Sequence, residues 1–212
     1  MGLRLVCLAS GRGSNFAALC AAGRAGQLGG AQVVGLVVNR PGCGALDHAQ
    51  RDAVPTAVVD HTTASDRADF EAQLLQAIEP MNPDLLVFAG FMRILTPYFL
   101  SRAPAPGVNL HPSLLPAFPG AHAIDEAYAA QVRVSGCTTH LVTPTVDAGP
   151  ILMQGVVPLN PGDSLDDFAD RMHAMEHQLL PASVRAIAEG SLRIEAENLV
   201  CLPDFSAWIS AK

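Results

Sequence analysis

Apolar runs of strand length alternate with helix-spaced segments over roughly the first half of the chain. A short apolar run bounded by turn residues predicts a strand that is buried on both faces. Such runs fall at 3–9, 33–38, 56–59, 84–89 and 107–110. Helical spacing predicts helices at 15–24, 44–51 and 65–78, with another starting at Thr96-Pro97. The alternation predicts an α/β fold, a Rossmann-like, mostly parallel twisted sheet flanked by helices.

The pattern changes in the second half, where two predicted strands follow each other without a helix between them. Such neighbours pair antiparallel, so we expect an antiparallel C-terminal extension of the sheet. Pro181 is expected to kink or split the longest predicted helix. The elements predicted here are a helix at 124–131, strands at 136–143 and 151–159, a helix at 164–189 and a hairpin of 192–194 with 199–201.

Composition narrows the classes of protein to consider. The chain has 212 residues, 50% of them hydrophobic, which suits one domain with a substantial core. A net charge of −7 with only 13 Lys and Arg residues argues against binding to nucleic acid. No apolar run reaches the roughly 18 residues of a membrane span. Five cysteines without a C-x-x-C pair predict free thiols and a cytoplasmic protein.

Two polar side chains stand at the end of the strand predicted at 107–110. Asn109 and His111 project to the same side, because successive side chains of a strand alternate. Pro112 favours an extended backbone at His111 and prevents a helix from starting there. Ligands of open α/β sheets bind at this edge, so the pair is a candidate site. A capped strand end with a buried histidine is the alternative.

A glycine loop at 10–15 follows the first strand and precedes the first helix. Its backbone N–H groups and the helix N-terminus can bind an anion. A dinucleotide fingerprint would have a third glycine where Phe16 stands, and an acid where Asn39 ends the second strand. The loop therefore predicts a site for a phosphate monoester rather than for NAD. A simple tight turn is the alternative.

Asp147 lies in a loop rich in Gly and Pro, where an aspartate is usually a solvated turn residue. Paired with His111, however, its carboxylate would stabilise a charged imidazolium. Asn109 could then donate its amide to a developing oxyanion. This set suits acyl transfer to an amine, because the acceptor amine itself attacks and no Ser or Cys nucleophile is needed.

The long predicted helix carries a motif that resembles a zinc site. His173, Glu176 and His177 spell H-x-x-E-H, the inverted zinc-protease pattern, and histidines at i and i+4 share a helix face. Short motifs arise by chance, and nothing else in the chain indicates a protease. Surface or substrate-contact roles are favoured, so no metal is predicted. A zinc hydrolase is kept as a distant alternative.

Three runs of the chain resemble the formyltransferases that use 10-formyltetrahydrofolate. The runs are AGFMRIL at 89–95, NLHPSLLP at 109–116 and VDAGPI at 146–151. The resemblance extends in order from the loop at Ser10 to the region of Glu176. Within that family, the loop at 13–15 and Glu176 point to the members that formylate glycinamide ribonucleotide in purine synthesis. The implied cosubstrate is 10-formyltetrahydrofolate, without a metal.

The resemblance also implies roles for individual residues. Asn109, His111 and Asp147 match the catalytic trio. The residues implied in binding the ribonucleotide are Gly13, Ser14 and Asn15 for its phosphate, Glu176 for its ribose, and His173, where relatives often have Lys or Gln. The residues implied in binding the folate are Arg67, Met92, Arg93, Ile94, Leu95, Asn109 and Val142, with the two arginines facing its anionic end. One domain, 1–212, would comprise a phosphate-binding half, 1–110, and a catalytic and folate half, 111–212.

Two relatives in the family are rival readings. A 10-formyltetrahydrofolate hydrolase uses water in place of the amine but has an extra N-terminal domain, which we do not expect because the first strand begins at Leu3. A tRNA formyltransferase has a C-terminal RNA-binding domain, for which this acidic chain is too short. The expected partners are therefore two small molecules, glycinamide ribonucleotide and formyl-folate. Neither nucleic acid nor membrane is expected, and the protein would be a monomer or a homodimer.

Overall fold

The structure is a computed structural model that describes residues 2–195, 198–201 and 208–210. The chain forms two compact units, Met1–Val108 and Asn109–Lys212. The predicted assignment of one function to each half of the chain stays a prediction.

The first unit alternates strands and helices, as the hydrophobic pattern predicts. Its strands pair in parallel in the order β4-β1-β2-β3, so β1 is flanked by β2 and β4. Its elements are β1 (Arg4–Ala9), α1 (Ser14–Arg24), β2 (Gln32–Val38), α2 (Ala45–Arg51), β3 (Thr56–Val58), α3 (Arg67–Ile78), a 3-10 turn (Glu79–Met81), β4 (Leu85–Phe88) and α4 (Pro97–Leu100).

The order of the strands in the first unit determines where a ligand can bind. The chain leaves β1 toward β2 on one side, whereas β4 lies on the other side of β1. Such a reversal opens a crevice at the carboxyl ends of the two central strands. The loop at 10–13 follows β1, and the loop at 89–96 follows β4. Both predicted ligand loops of this unit therefore leave the sheet at its switch point.

The second unit contains the antiparallel pair and the longest helix. β6 and β7 pair antiparallel, and β10 joins β7 in parallel. Ser164 caps the long helix α6 by accepting from the backbone N–H of Asp167, whose carboxylate in turn accepts from the N–H of Ser164. The elements are β5 (Gly107–His111), which begins at the end of the first unit, α5 (Ala123–Ala129), β6 (Val134–Leu141), β7 (Ile151–Pro158), α6 (Leu165–Ala188), β8 (Leu192–Glu195), β9 (Asn198–Cys201) and β10 (Trp208–Ser210).

The predicted fold class is confirmed: α/β with a mostly parallel sheet, flanking helices and an antiparallel C-terminal extension. The terminal hairpin is confirmed as β8 paired with β9. β10 was not predicted, because three residues are too few to show a hydrophobic period. The free thiols of Cys7, Cys20, Cys43 and Cys137 are also confirmed, and the side chain of Cys201 lies outside the described part. Among the described residues, no helix is both long and apolar enough to cross a membrane.

The expected split of the long helix at Pro181 is not found, because α6 runs unbroken through it. A proline in a helix removes one backbone hydrogen bond. Around it, however, Leu179, Leu180 and Val184 are all fully buried. Burial of each such side chain contributes about 1.5–3 kcal/mol, which offsets the lost bond.

Candidate active site

His111 ends β5 and is 4% exposed. Its Nδ1 lies 3.5 Å from Oδ2 of Asp147, and its Nε2 lies 2.8 Å from the carbonyl oxygen of Phe118. A carbonyl oxygen can only accept, so Nε2 carries a proton and donates it to Phe118. The geometry therefore offers an acceptor to each N–H of a protonated His111 ring.

Asn109 reaches the same cluster through a residue that the sequence analysis did not select. Its Nδ2 lies 3.0 Å from Nε2 of His140, and that nitrogen lies 3.5 Å from Oδ1 of Asp147. His140 is in β6 and 3% exposed. The signal that identified His111, a polar residue near the carboxyl end of an apolar strand, also marks His140. The predicted trio therefore converges in a group of four side chains, Asn109, His111, His140 and Asp147, in which the two imidazoles are buried and the other two residues are half-buried.

Asp147 is held in an unusual backbone conformation, with φ of 52°. Its Oδ2 accepts from the backbone N–H of Gly120 at 2.8 Å. Burial alone would raise the pKa of Asp147, but His140, the Gly120 N–H and His111 outweigh it and lower the pKa below its usual value. Asp147 is therefore an anion between two imidazoles at neutral pH, and not the solvated turn residue of the alternative interpretation.

The proline-rich loop after His111 is secured by polar side chains of β6 and β7. Thr138 Oγ1 donates to the carbonyl oxygen of Ser113 at 2.7 Å and accepts from the backbone N–H of Leu115 at 3.1 Å. Gln154 Nε2 donates to the carbonyl oxygen of Leu115 at 3.0 Å. These bonds fix the segment that carries the Phe118 carbonyl to His111.

The glycine loop of the first unit leads directly into α1. The helix begins at Ser14, one residue earlier than predicted, with Asn15 second and Gly13 as its N-cap. Gly13 has φ of 77°, and a Cβ added to it would lie 2.5 Å from Cα of Ala45 in α2. Glycine is thus required here for its conformation and for the close approach of α2. The turn presents a helix N-terminus, which favours an anion.

The second loop of this unit, residues 90–96, is anchored at both ends. The backbone N–H of Met92 donates to Ser10 Oγ at 2.7 Å, and that of Thr96 donates to Oε1 of Glu71 at 2.8 Å. Between the anchors, the side chains of Met92 and Ile94 are 65% and 63% exposed, whereas Leu95 is buried. The loop therefore presents apolar side chains to solvent on a fixed backbone.

The two arginines predicted for the anionic end of the folate also support this loop. Arg67 donates to the carbonyl oxygen of Ile94, and its Nε lies 3.5 Å from Oε1 of Glu71. The guanidinium of Arg93 lies 5.8 Å from the ring centroid of Phe70. Sequence reasoning missed Ser10 and Glu71, which anchor the loop. The signal available for Glu71 was an acidic residue beside the apolar face of an amphipathic helix.

The remaining candidates lie in the second unit. In α6, Nδ1 of His173 lies 3.0 Å from Oε2 of Glu176, which is buried. Burial lowers the pKa of His177, with Glu176 opposing and His173 adding to this shift. Val142 follows β6 and is half-buried. Within the described residues, no group of three or more His, Cys, Asp or Glu side chains is arranged so that it could hold a metal ion, the H-x-x-E-H motif included.

Chemically, the cluster of four can stabilise negative charge on a substrate oxygen. It combines an amide donor, an imidazole that can carry charge, and an anion that holds that charge in place. It offers no hydroxyl or thiol nucleophile within the cluster, so an attacking group must come from a substrate.

Comparison with known proteins gives matches over most of the chain. A family model described as Formyl transferase matches residues 3–184. The phosphoribosylglycinamide formyltransferase of Mycobacterium tuberculosis (strain H37Rv) is 42% identical over 185 residues, which cover 87% of this chain and 85% of that protein. The glycinamide ribonucleotide transformylase 1 structure from Symbiobacterium toebii superposes with a TM-score of 0.89 at 36% identity, covering 95% of this chain and 94% of the other.

Longer relatives are also matched. The trifunctional purine biosynthetic protein adenosine-3 of Homo sapiens is 35% identical over 198 residues, which cover 93% of this chain and 20% of that protein. The chain thus spans about a fifth of the length of these trifunctional relatives. With a family model that matches most of its length, this chain belongs to the formyl transferase family.

Proposed function

We propose that this protein transfers the formyl group of 10-formyltetrahydrofolate to the amine of glycinamide ribonucleotide, a step of purine synthesis. The observation that carries the proposal is the cluster of Asn109, His111, His140 and Asp147, in which both imidazoles are buried. It supplies donors and a fixed charge for an oxyanion and leaves the nucleophile to the substrate. Family membership and relatives named for this reaction support the same assignment.

The reaction begins with attack of the ribonucleotide amine on the formyl carbon. A carbon–nitrogen bond forms, and the carbonyl oxygen becomes an oxyanion in a tetrahedral intermediate. Asn109 Nδ2 donates to that oxygen, and protonated His111 stabilises its charge. One well-placed donor of this kind contributes about 10²- to 10³-fold to the rate.

Collapse of the intermediate breaks the bond between the formyl carbon and N10 of the folate. The proton that the amine loses must reach N10, directly through His111 or by way of water. Nδ1 of His111 faces Asp147, so Nε2 is the nitrogen available for this transfer. Because Nε2 donates to the carbonyl oxygen of Phe118, it must exchange that acceptor for the substrate during the reaction.

Binding roles follow from the two loops at the switch point of the first unit. The turn at 13–15 holds the ribonucleotide phosphate through backbone N–H groups of the α1 N-terminus. The exposed side chains of Met92 and Ile94 contact the folate, for which Arg67 and Arg93 provide positive charge. In the second unit, Glu176 accepts from the ribose hydroxyls, while Val142 adds apolar contact to the folate. No step of this mechanism calls for a metal ion.

The decisive experiment measures consumption of 10-formyltetrahydrofolate by the purified chain with and without glycinamide ribonucleotide. We expect formylated ribonucleotide in equal amount to the folate consumed, and no consumption without the amine. Formate release that does not depend on the ribonucleotide would instead identify a hydrolase. Activity lost in chelator and restored by zinc would contradict the metal-free mechanism.

A further inference from the structure

His140 is placed to control the orientation of a neighbouring amide. It is 3% exposed and touches Asn109 and Asp147, two members of the predicted trio. Its Nδ1 lies 2.9 Å from the carbonyl oxygen of Leu141. Because that oxygen only accepts, Nδ1 carries a proton whether the ring is neutral or charged. The two forms of the ring then differ only in whether Nε2 carries a proton.

In the neutral ring, Nε2 has a lone pair and accepts from Nδ2 of Asn109 at 3.0 Å. This bond uses one hydrogen of the amide and fixes the carboxamide with its NH₂ group at the cluster. The second hydrogen remains for another acceptor, such as a substrate oxygen. An amide held the other way would present its oxygen, which repels an oxyanion.

In the charged ring, Nε2 becomes a donor and can no longer accept from the amide. Oδ1 of Asp147, 3.5 Å away, can then accept from the charged Nε2. Asn109 can also accept from Nε2, but only if its amide turns so that the oxygen faces the ring. Asp147 would then be shared between His140 and His111, the two titratable groups that face it. Protonation thus affects both the amide and the carboxylate.

We propose that neutral His140 is a positioning residue, which holds Asn109 with an N–H directed at the reacting carbonyl oxygen. It acts through Asn109 and does not itself touch substrate. The inference rests on the proposed function for the identity of that oxygen. It predicts that catalysis requires His111 charged and His140 neutral. In that state Asp147 keeps its bond from the Gly120 N–H and its pairing with His111, while His140 donates to Asp147 only in the charged form.

The test uses two substitutions that each keep one side of the imidazole. In His140→Gln, Oε1 stands in for Nε2 and still accepts from Asn109, without a charge. In His140→Asn, the shorter amide can stand in for Nδ1 but does not reach Asn109. We expect kcat of His140→Asn to fall about a hundred-fold, as for loss of an oxyanion donor, with KM changed little. We expect His140→Gln to retain kcat within about tenfold of wild type.

Two further measurements separate positioning from simple structural support. The double variant Asn109→Ala/His140→Asn should be no slower than Asn109→Ala, because both changes remove the same donor. The double variant Asn109→Ala/His140→Gln should also have the kcat of Asn109→Ala, because residue 140 acts only through the amide. The proposal would be overturned if the losses in either double variant multiplied, or if His140→Asn kept the kcat of wild type.

A spectroscopic measurement keeps the inference testable without turnover. Nitrogen-15 NMR of wild type at about pH 7.5 should show His140 with a protonated Nδ1 and an unprotonated Nε2. The opposite tautomer would refute the proposal even if every variant misfolds. His48→Gln, which changes a histidine that contacts Arg51 on α2, serves as the assignment and activity control. If the wild-type protein does not formylate the ribonucleotide, the proposed function is wrong. The tautomer of His140 can still be measured in that case, so the two proposals are tested separately.

Discussion

The loop at 90–96 and the cluster around His111 both follow carboxyl ends of strands, but they are built in opposite ways. The loop is fixed through its backbone, by Ser10 and Glu71, and exposes the side chains of Met92 and Ile94. The cluster is fixed through its side chains, which contact one another, and its two imidazoles are almost entirely buried.

The difference corresponds to two functions, binding a ligand and stabilising charge during a reaction. A surface that binds an apolar ligand needs exposed apolar side chains on a backbone that loses little conformational entropy on binding. An anchored backbone meets this need. A group that stabilises developing charge needs a fixed direction and little competing water, which burial and mutual hydrogen bonds provide. We therefore expect changes in the cluster to act on kcat, and changes in the loops to act on KM.

The largest expected effect is that of Asp147→Asn. The amide oxygen can keep the bond from the Gly120 N–H, but the negative charge beside His111 and His140 is lost. Loss of a carboxylate that orients a catalytic histidine lowers kcat by on the order of 10³- to 10⁴-fold. Steady-state kinetics should show this fall in kcat with both KM values within about threefold.

Asp163→Asn is the matched control, because Asp163 is a partly buried carboxylate of the same unit that pairs with Arg171. It should lower the melting temperature without lowering kcat. A kcat of Asp147→Asn close to that of wild type would mean that the Asp147 carboxylate serves only stability.

The second effect is that of Gly13→Ala, which adds a Cβ 2.5 Å from Cα of Ala45 at a residue with φ of 77°. The turn before α1 must shift, so KM for the ribonucleotide should rise about tenfold while KM for the folate stays within about twofold. Strain of about 1–3 kcal/mol should also lower the melting temperature by several degrees.

Gly11→Ala provides the control, since a Cβ there meets nothing within 4 Å. This variant should leave KM for the ribonucleotide and KM for the folate unchanged. A rise confined to the folate KM in Gly13→Ala would show that this turn serves the other substrate.

Ser10→Ala should have a smaller effect, on the other loop of the first unit. It leaves the Met92 N–H without its acceptor, and an unsatisfied donor costs about 1–3 kcal/mol when buried. Partial access to water reduces that cost, so KM for the folate should rise about fivefold at unchanged kcat. Ser101→Ala, which removes an exposed hydroxyl bonded to Tyr98, should change neither constant. A fall in kcat alone would contradict a purely binding role for the loop.

The smallest effect is expected for His173→Gln. A charged His173 could contact the ribonucleotide phosphate, but its Nδ1 already faces the carboxylate of Glu176, which offsets that charge. Affinity for the ribonucleotide, measured from about pH 5.5 to 8.5 with chelator present, should differ between the two proteins by about threefold or less. The difference should shrink as pH rises, because neutral imidazole attracts the phosphate weakly. Identical profiles would make His173 a bystander.

The sequence was sufficient for the parts of the molecule that follow local rules. Buried strands, the capped start of α6 and the helix-spaced face of α3 depend on period and capping, which the residues themselves display. The direction of Asn109 and His111 followed from strand alternation. The family resemblance then assigned Asp147, which no spacing rule could connect to His111 across the intervening residues.

The parts that could not be predicted depend on tertiary contacts. Phe118 and Asp147 adopt positive φ values, which non-glycine residues rarely do, so no local preference indicated them. The acceptor that Phe118 offers to His111 depends on that conformation. Similarly, the anchors of the loop at 90–96 are side chains distant in sequence, Ser10 and Glu71, whose partners are backbone groups without a residue-specific signal.

The four side chains of the cluster all come from one contiguous stretch, residues 109–147, and they bond to one another. Such a stretch can be inherited or exchanged by recombination as a single piece, with its chemistry intact. Loops elsewhere are then free to diverge toward new acceptors, since loops tolerate change better than the elements they join. Engineering then has two separate tasks. The stretch from Asn109 to Asp147 is kept unchanged, and the acceptor is altered by rebuilding loops such as the turn at Gly13.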